Sequence, residues 1–141
     1  MRRVAASWGG DETRSVLRLR RDGVRTVRGE VGVTEETTAF VNEAGPHAVI
    51  CGDFNIARES PLFGDFMAAT GLADAFGGTC PPTFRAEYLP AGATPHCIDF
   101  ILTAGEVKVE STALVFAEKE SLGYVSDHIG LRARLSLTPA G

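Results

Sequence analysis

The chain has 141 residues, 44% hydrophobic and 23% charged, one domain's worth and able to bury roughly 70% of its unfolded surface. No apolar run approaches the ~20 residues of a membrane helix, and no apolar stretch follows Arg2 and Arg3 as a secretory signal requires, so no transmembrane segment and a cytoplasmic location are expected. Three cysteines without paired spacing (Cys51, Cys80 and Cys97) argue against a disulfide framework or a zinc ribbon and fit a reducing compartment.

Charge is uneven along the chain. Residues 1–30 carry a net +4 and residues 31–141 a net −8, which a solvated, arginine-bearing hairpin explains. Residues 1–14 have no periodicity and are expected as loop or disordered terminus, with the domain over 15–141. Ser15–Arg20 and Val24–Val31 alternate around a turn at Arg21-Asp22-Gly23 and predict a β-hairpin. Thr34 is placed to cap a helix with Glu35 and Glu36 in its first turn, ended by Gly45-Pro46. Ala48-Val49-Ile50-Cys51 is a short unbroken apolar run, as in a strand covered on both faces. Ser60-Pro61 opens a second helix with an apolar stripe of Leu62, Phe63, Phe66 and Met67, closed by Gly71. Residues 77–95, rich in Gly, Pro and Thr, predict a long functional or mobile loop. Ile98–Leu102 is a second buried strand. Val107–Phe116 alternates with a bulge expected near Ser111-Thr112, and Leu131–Leu137 alternates strictly. The class is α/β, a mixed β-sheet with flanking helices.

Polar residues gather where the apolar runs stop. Gly52-Asp53-Phe54-Asn55 ends one strand, Ile98-Asp99-Phe100-Ile101 opens another, and Ser126-Asp127-His128 precedes the last. Asp99 sits within an apolar run, where an unpaired carboxylate costs several kcal/mol, so it calls for an imidazole or a metal as partner. An imidazole held by a carboxylate has a fixed tautomer and a raised pKa. Further carboxylates and an amide suit Mg²⁺ or Mn²⁺ rather than Zn²⁺. Such a set fits attack of water on a phosphate ester.

These three segments, in this order, with Gly71–Phe76 and Thr83-Phe84 between them, resemble the endonuclease/exonuclease/phosphatase superfamily, closest to its phosphodiesterase and sphingomyelinase-like branches. The resemblance covers about residues 40–137, the family's C-terminal half. It implies half of a four-layer DNase I-like sandwich and hydrolysis of a phosphodiester or phosphomonoester. It further implies that Asp53 orients or deprotonates water and that Asn55 binds that water or the phosphate. Asp127, with Asp53, approaches the metal. His128 binds a phosphoryl oxygen or moves a proton, and Asp99 pairs with His128. The substrate is a nucleic acid, a phospholipid headgroup or an inositol phosphate. The glutamate-bearing N-terminal half of the family has no counterpart in the sequence beyond the weak substitutes Glu12 and Glu30. Cys97 stands where an arginine is common.

Blander readings apply residue by residue. Asp53 and Asn55 suit an Asx turn, and Ser126 and Asp127 suit a turn or cap. His47 and His96 are expected in loops. Cys51 and Cys97 are core hydrophobes, whereas Cys80 is exposed. Arg58 and Arg85 flank the expected crevice, as phosphate ligands or surface residues, and Asp74 braces a turn. The rival reading is a truncated, catalytically silent fragment that serves as a binding or structural piece. A bare sheet face would also call for a homodimer or a complementing N-terminal half.

Overall fold

Val49, Ile50 and Cys51 are consecutive and apolar, so a strand through them has to be covered from two sides. The computed structural model describes residues 4–7, 15–20, 23–28 and 35–137, and it supplies both covers. The elements are β1 (Val4–Ser7), β2 (Ser15–Arg20), β3 (Gly23–Arg28), α1 (Glu35–Ala44), β4 (Ala48–Asp53), α2 (Pro61–Thr70), β5 (Ala73–Asp74), β6 (Asp99–Thr103), β7 (Val107–Val115) and β8 (Gly130–Leu137). A five-stranded sheet runs β3-β2-β4-β6-β5 and a three-stranded sheet runs β1-β8-β7.

Period-two alternation divides the central strands between two cores. Ile50, Phe100 and Leu102 face the helices, meeting Val41 of α1 and Phe63 and Phe66 of α2. Val49, Cys51 and Ile101 face the small sheet, meeting Val107, Leu131, Ala133 and Leu135. The result is three layers among the described residues: helices, large sheet, small sheet. Among the described residues, β7 and β8 cover within the chain the face of β4 and β6 that the sequence led one to expect bare. The α/β class with flanking helices holds, but every described strand pair is antiparallel, where mixed pairing was expected.

Local differences have local causes. Val4–Ser7 lies in the stretch expected as loop, yet it pairs with β8, Val4 opposite Leu135. Four residues are too few to show a period, and the partner strand is over a hundred residues away in sequence. The extra residue of the β7 bulge is Glu110, between Val109 and Ser111, slightly earlier than expected. Leu62 of α2 is exposed rather than in the apolar stripe. Ser60 makes no side-chain cap; its carbonyl accepts from the N–H groups of Phe63 and Gly64 instead. Gly71 closes α2 in the left-handed conformation (φ 64°), its N–H donating to the Met67 carbonyl at 2.9 Å. The cap expected from Thr34 and the turn at Arg21-Asp22 lie outside the described residues. No helix among them is long and apolar enough to cross a membrane.

Candidate active site

Strands β4 and β6 pair so that Asp53 stands directly opposite Asp99. Two carboxylates in that relation repel unless something positive joins them. His128 does so. Its Nδ1 meets Asp99 Oδ2 at 2.7 Å, and its Nε2 lies 3.9 Å from Asp53 Oδ2. Asp99 is 2% exposed, whereas Asp53 is partly open to solvent. The Asp99 hydrogen bond, backed by the charges of Asp99, Asp53 and Asp127, raises the His128 pKa above its ordinary 6.5 despite partial burial.

Three loops hold this trio. After β4 the chain alternates, with Phe54 buried among Phe63, Phe66 and Phe100 and its neighbours Asp53 and Asn55 facing out. Gly52, at φ 144°, takes a conformation that side chains rarely adopt, so it directs the strand end. The Asn55 N–H donates to Asp53 Oδ1 at 2.7 Å, with Asn55 itself at φ 56°. The Asx turn of the blander reading is thus present, and it fixes the Asp53 carboxylate rather than competing with a chemical role. The segment before β6 is tied to this turn by the N–H of Phe54 on the Ile98 carbonyl and of Arg58 on that of Cys97.

The 77–95 loop is the third support. Thr83 is fully buried, and its hydroxyl oxygen accepts from the N–H groups of Ile98 and Asp99 at 3.0 and 3.1 Å. Its carbonyl accepts from Ile129 at 2.7 Å. Phe84 bridges to His128 and sets its ring edge-on to the imidazole at 5.0 Å. Thr83 thus positions the backbones of both members of the Asp99–His128 pair. Thr83→Val is expected to orphan two buried N–H groups and cost about 1–3 kcal/mol in urea unfolding, with Thr83→Ser close to the parent.

Arg85 is buried rather than at the surface. It is 5% exposed and holds the 116–127 segment. Its side chain donates to the carbonyls of Phe116, Ala117 and Ser126, its backbone N–H donates to the Asp127 carbonyl, and its guanidinium lies 3.8 Å over the Tyr124 ring. Arg58 is likewise an internal brace, donating to Asp74 and to Cys97 Sγ. Asp74 also accepts from the Phe76 N–H at 2.9 Å. His47 pairs with Glu106 and exposed His96 with Glu59. The support roles of Thr83 and Arg85 were missed in sequence because both act through backbone groups distant along the chain.

Of the expected site residues, the fold brings Asp53, Asp99 and His128 into one cluster, with ligand atoms within 4.8 Å of one another. Asn55 joins through its N–H bond to Asp53. Asp127 is exposed and stands outside that cluster, close enough to raise the His128 pKa. Asp99 Oδ1 is buried without a hydrogen-bond partner among the described residues. Asp53, Asp99 and His128 each offer a ligand atom, so the cluster could hold a metal ion.

A carboxylate-held imidazole beside a second carboxylate is an arrangement that can move a proton and orient water. The sequence matches the Endonuclease/Exonuclease/phosphatase family over residues 13–128, and the chain belongs to that family. The match starts well before residue 40, so the β2–β3 hairpin is part of the family region rather than an appendage. No curated protein and no solved structure matches the chain.

Proposed function

We propose that the chain hydrolyses a phosphodiester or phosphomonoester by direct attack of water, with Mg²⁺ or Mn²⁺. The observation that carries this is the Asp99–His128 hydrogen bond at 2.7 Å with Asp53 across from it. Asp99 fixes Nδ1 as the protonated nitrogen and leaves Nε2 aimed toward the Asp53 side. From there a protonated His128 donates Nε2–H to a phosphoryl oxygen and stabilises the charge that develops in the transition state. Asp53, held by the Asn55 turn, orients the water and takes its proton. The Asn55 side chain binds that water or the phosphate. Asp53 and Asp127 would hold the cation, which when bound neutralises phosphate charge.

The test is hydrolysis of bis(p-nitrophenyl) phosphate and of p-nitrophenyl phosphate in Mg²⁺ or Mn²⁺. Activity is expected to disappear in chelator and to fall by about two orders of magnitude or more in His128→Ala and in Asp53→Ala. Retention of full activity in both variants would overturn the assignment. Nucleic acid, phospholipid headgroup and inositol phosphate are then separated by direct competition against the chromogenic substrate.

A second reading rests on one observation: the cluster contains no glutamate among the described residues. On that reading the domain is catalytically silent, as a binding or structural piece, or completes its cation site with a partner chain or a second copy. Weak Mg²⁺ binding by titration, with no turnover in a monomeric preparation, would favour it over the first.

A further inference from the structure

The small sheet turns one face inward, where Val107, Leu131, Ala133 and Leu135 pack toward the large sheet. Alternation therefore puts Lys108, Arg132 and Arg134 on its outer face, and all three are exposed. Register groups them: Ser111 stands opposite Arg134, Ala113 opposite Arg132, and Lys108 opposite Ser136. On the other flank of β8, Ala5 and Ser7 of β1 stand opposite Arg134 and Arg132. The β7 bulge falls just before Ser111, and a bulge bends its strand and increases the local twist. Next to it lies a hollow of about 310 Å³ lined by Ser111, Thr112, Ala113, Arg132, Ala133 and Arg134, with no acid in the lining. Glu110, the bulge residue, is the one acid in the sequences of β1, β7 and β8. Among the described residues, no ion pair engages Lys108 or either arginine.

Guanidinium groups without carboxylate partners, set beside hydroxyls around a hollow, suit an anion with several oxygens, phosphate above all. The positive charge is local, because residues 31–141 as a whole carry a net −8. Arg132 and Arg134 stand two residues apart on one face, about 6.6 Å along the strand. That is close to the interval between successive phosphates of an extended nucleic-acid strand. Lys108 prolongs the row, since Ser136 opposite it is the next residue of β8 on that face. A single strand can follow such a straight row, whereas the phosphates of a duplex wind away from it. The other residues lining the hollow are Ser, Thr and Ala, which give a lipid bilayer no large apolar side chain to bury.

We propose that the outer face of the small sheet is a secondary site for the phosphate backbone of single-stranded nucleic acid, held by Arg132, Arg134, Lys108 and the Ser111 hydroxyl. The arginines donate to successive phosphates and Ser111 adds an O–H donor, so binding does not depend on base sequence. The site lies outside the hydrolytic cluster but leads toward it. Four residues separate His128 from Arg132, at most about 14 Å of chain, so a strand of a few nucleotides held here brings a further phosphate near the Asp53–His128 end. That anchoring role rests on the proposed hydrolysis and makes a nucleic-acid polymer its substrate class. Binding itself needs neither the cation nor turnover.

The experiment follows the fluorescence anisotropy of a labelled oligothymidylate mixed with the full chain in chelator, over a range of salt concentrations. Binding is expected to weaken as salt rises. Arg132→Gln together with Arg134→Gln is expected to weaken it about tenfold or more at low salt. The same pair is expected to make the slope of log affinity on log salt shallower by about 1.4, the share of two phosphates on a single strand. Lysine at both positions, which keeps the charge, is expected to restore most of the slope. An unchanged urea midpoint in the glutamine variant excludes loss of fold as the cause. Absence of binding at low salt overturns the proposal. So does binding undiminished in the glutamine variant, which assigns it to other arginines of the chain. Equal displacement of the oligonucleotide by inorganic phosphate, by duplex or by phosphatidylserine vesicles also overturns it. None of these results touches the hydrolysis reading, which stands on small esters with His128→Ala and Asp53→Ala.

Discussion

Asp99→Asn is expected to lower hydrolytic turnover by about two to four orders of magnitude while the protein remains folded. The residue is 2% exposed, and one carboxylate oxygen is bonded to His128 Nδ1 at 2.7 Å. An amide keeps the shape and removes the charge. His128 then loses the largest cause of its raised pKa, the hydrogen bond to Asp99, and the fixed tautomer with it. Less of the imidazole is protonated at neutral pH, so fewer molecules present an Nε2–H to phosphate. The basic limb of the pH–rate profile is expected to move to lower pH, a displacement that simple loss of folded protein would not produce.

The same pair makes stability depend on pH, in a direction fixed by linkage. Because the folded pKa of His128 is raised, its contribution is fully present below 6.5 and is lost as pH rises through the folded value. Urea unfolding in chelator is expected to show declining stability across that window in the parent and a flatter profile in Asp99→Asn. Equal slopes in both proteins would show that His128 is not the titrating group.

Phe100→Ala is expected to be the most destabilising single core change, at about 3–5 kcal/mol. Phe100 is 1% exposed and stacks on Phe63 with centroids 4.2 Å apart. It meets Phe54 edge-on at 5.4 Å, and the Arg58 guanidinium lies 5.4 Å from its ring centre. Truncation therefore opens a cavity among rings from β6, α2 and the Asp53 turn at once. Denaturant midpoints measure the loss, with Phe100→Leu expected to cost clearly less. Since Phe100 lies between Asp99 and Ile101, its packing also sets where Asp99 stands. Activity per folded molecule is expected to fall in the alanine variant as well.

The strands that carry the site were legible because they are unusual. A run such as Val49-Ile50-Cys51 admits few other interpretations, and an aspartate inside Ile98–Leu102 demands a partner. Asp53, Asp99 and His128 could be nominated on that ground, and the fold brings them together. The pairing of Val4–Ser7 with β8 was not legible, since register between distant strands leaves no local trace. Nor were the roles of Arg85 and Thr83. A buried arginine whose side-chain bonds all reach backbone carbonyls looks, in sequence, like any surface arginine.

The three-stranded sheet places β8 between β7 and β1. During translation β1 leaves the ribosome before every other described element, and its only described partner strand emerges last. Throughout synthesis it is an edge without a mate, and the small sheet has no centre. Cotranslational folding can assemble the helices on the large sheet early, but the second core waits for Leu131, Ala133 and Leu135. The nascent chain thus holds Val49, Cys51 and Ile101 only partly covered until β8 is released, the interval in which chaperone capture or aggregation competes with closure.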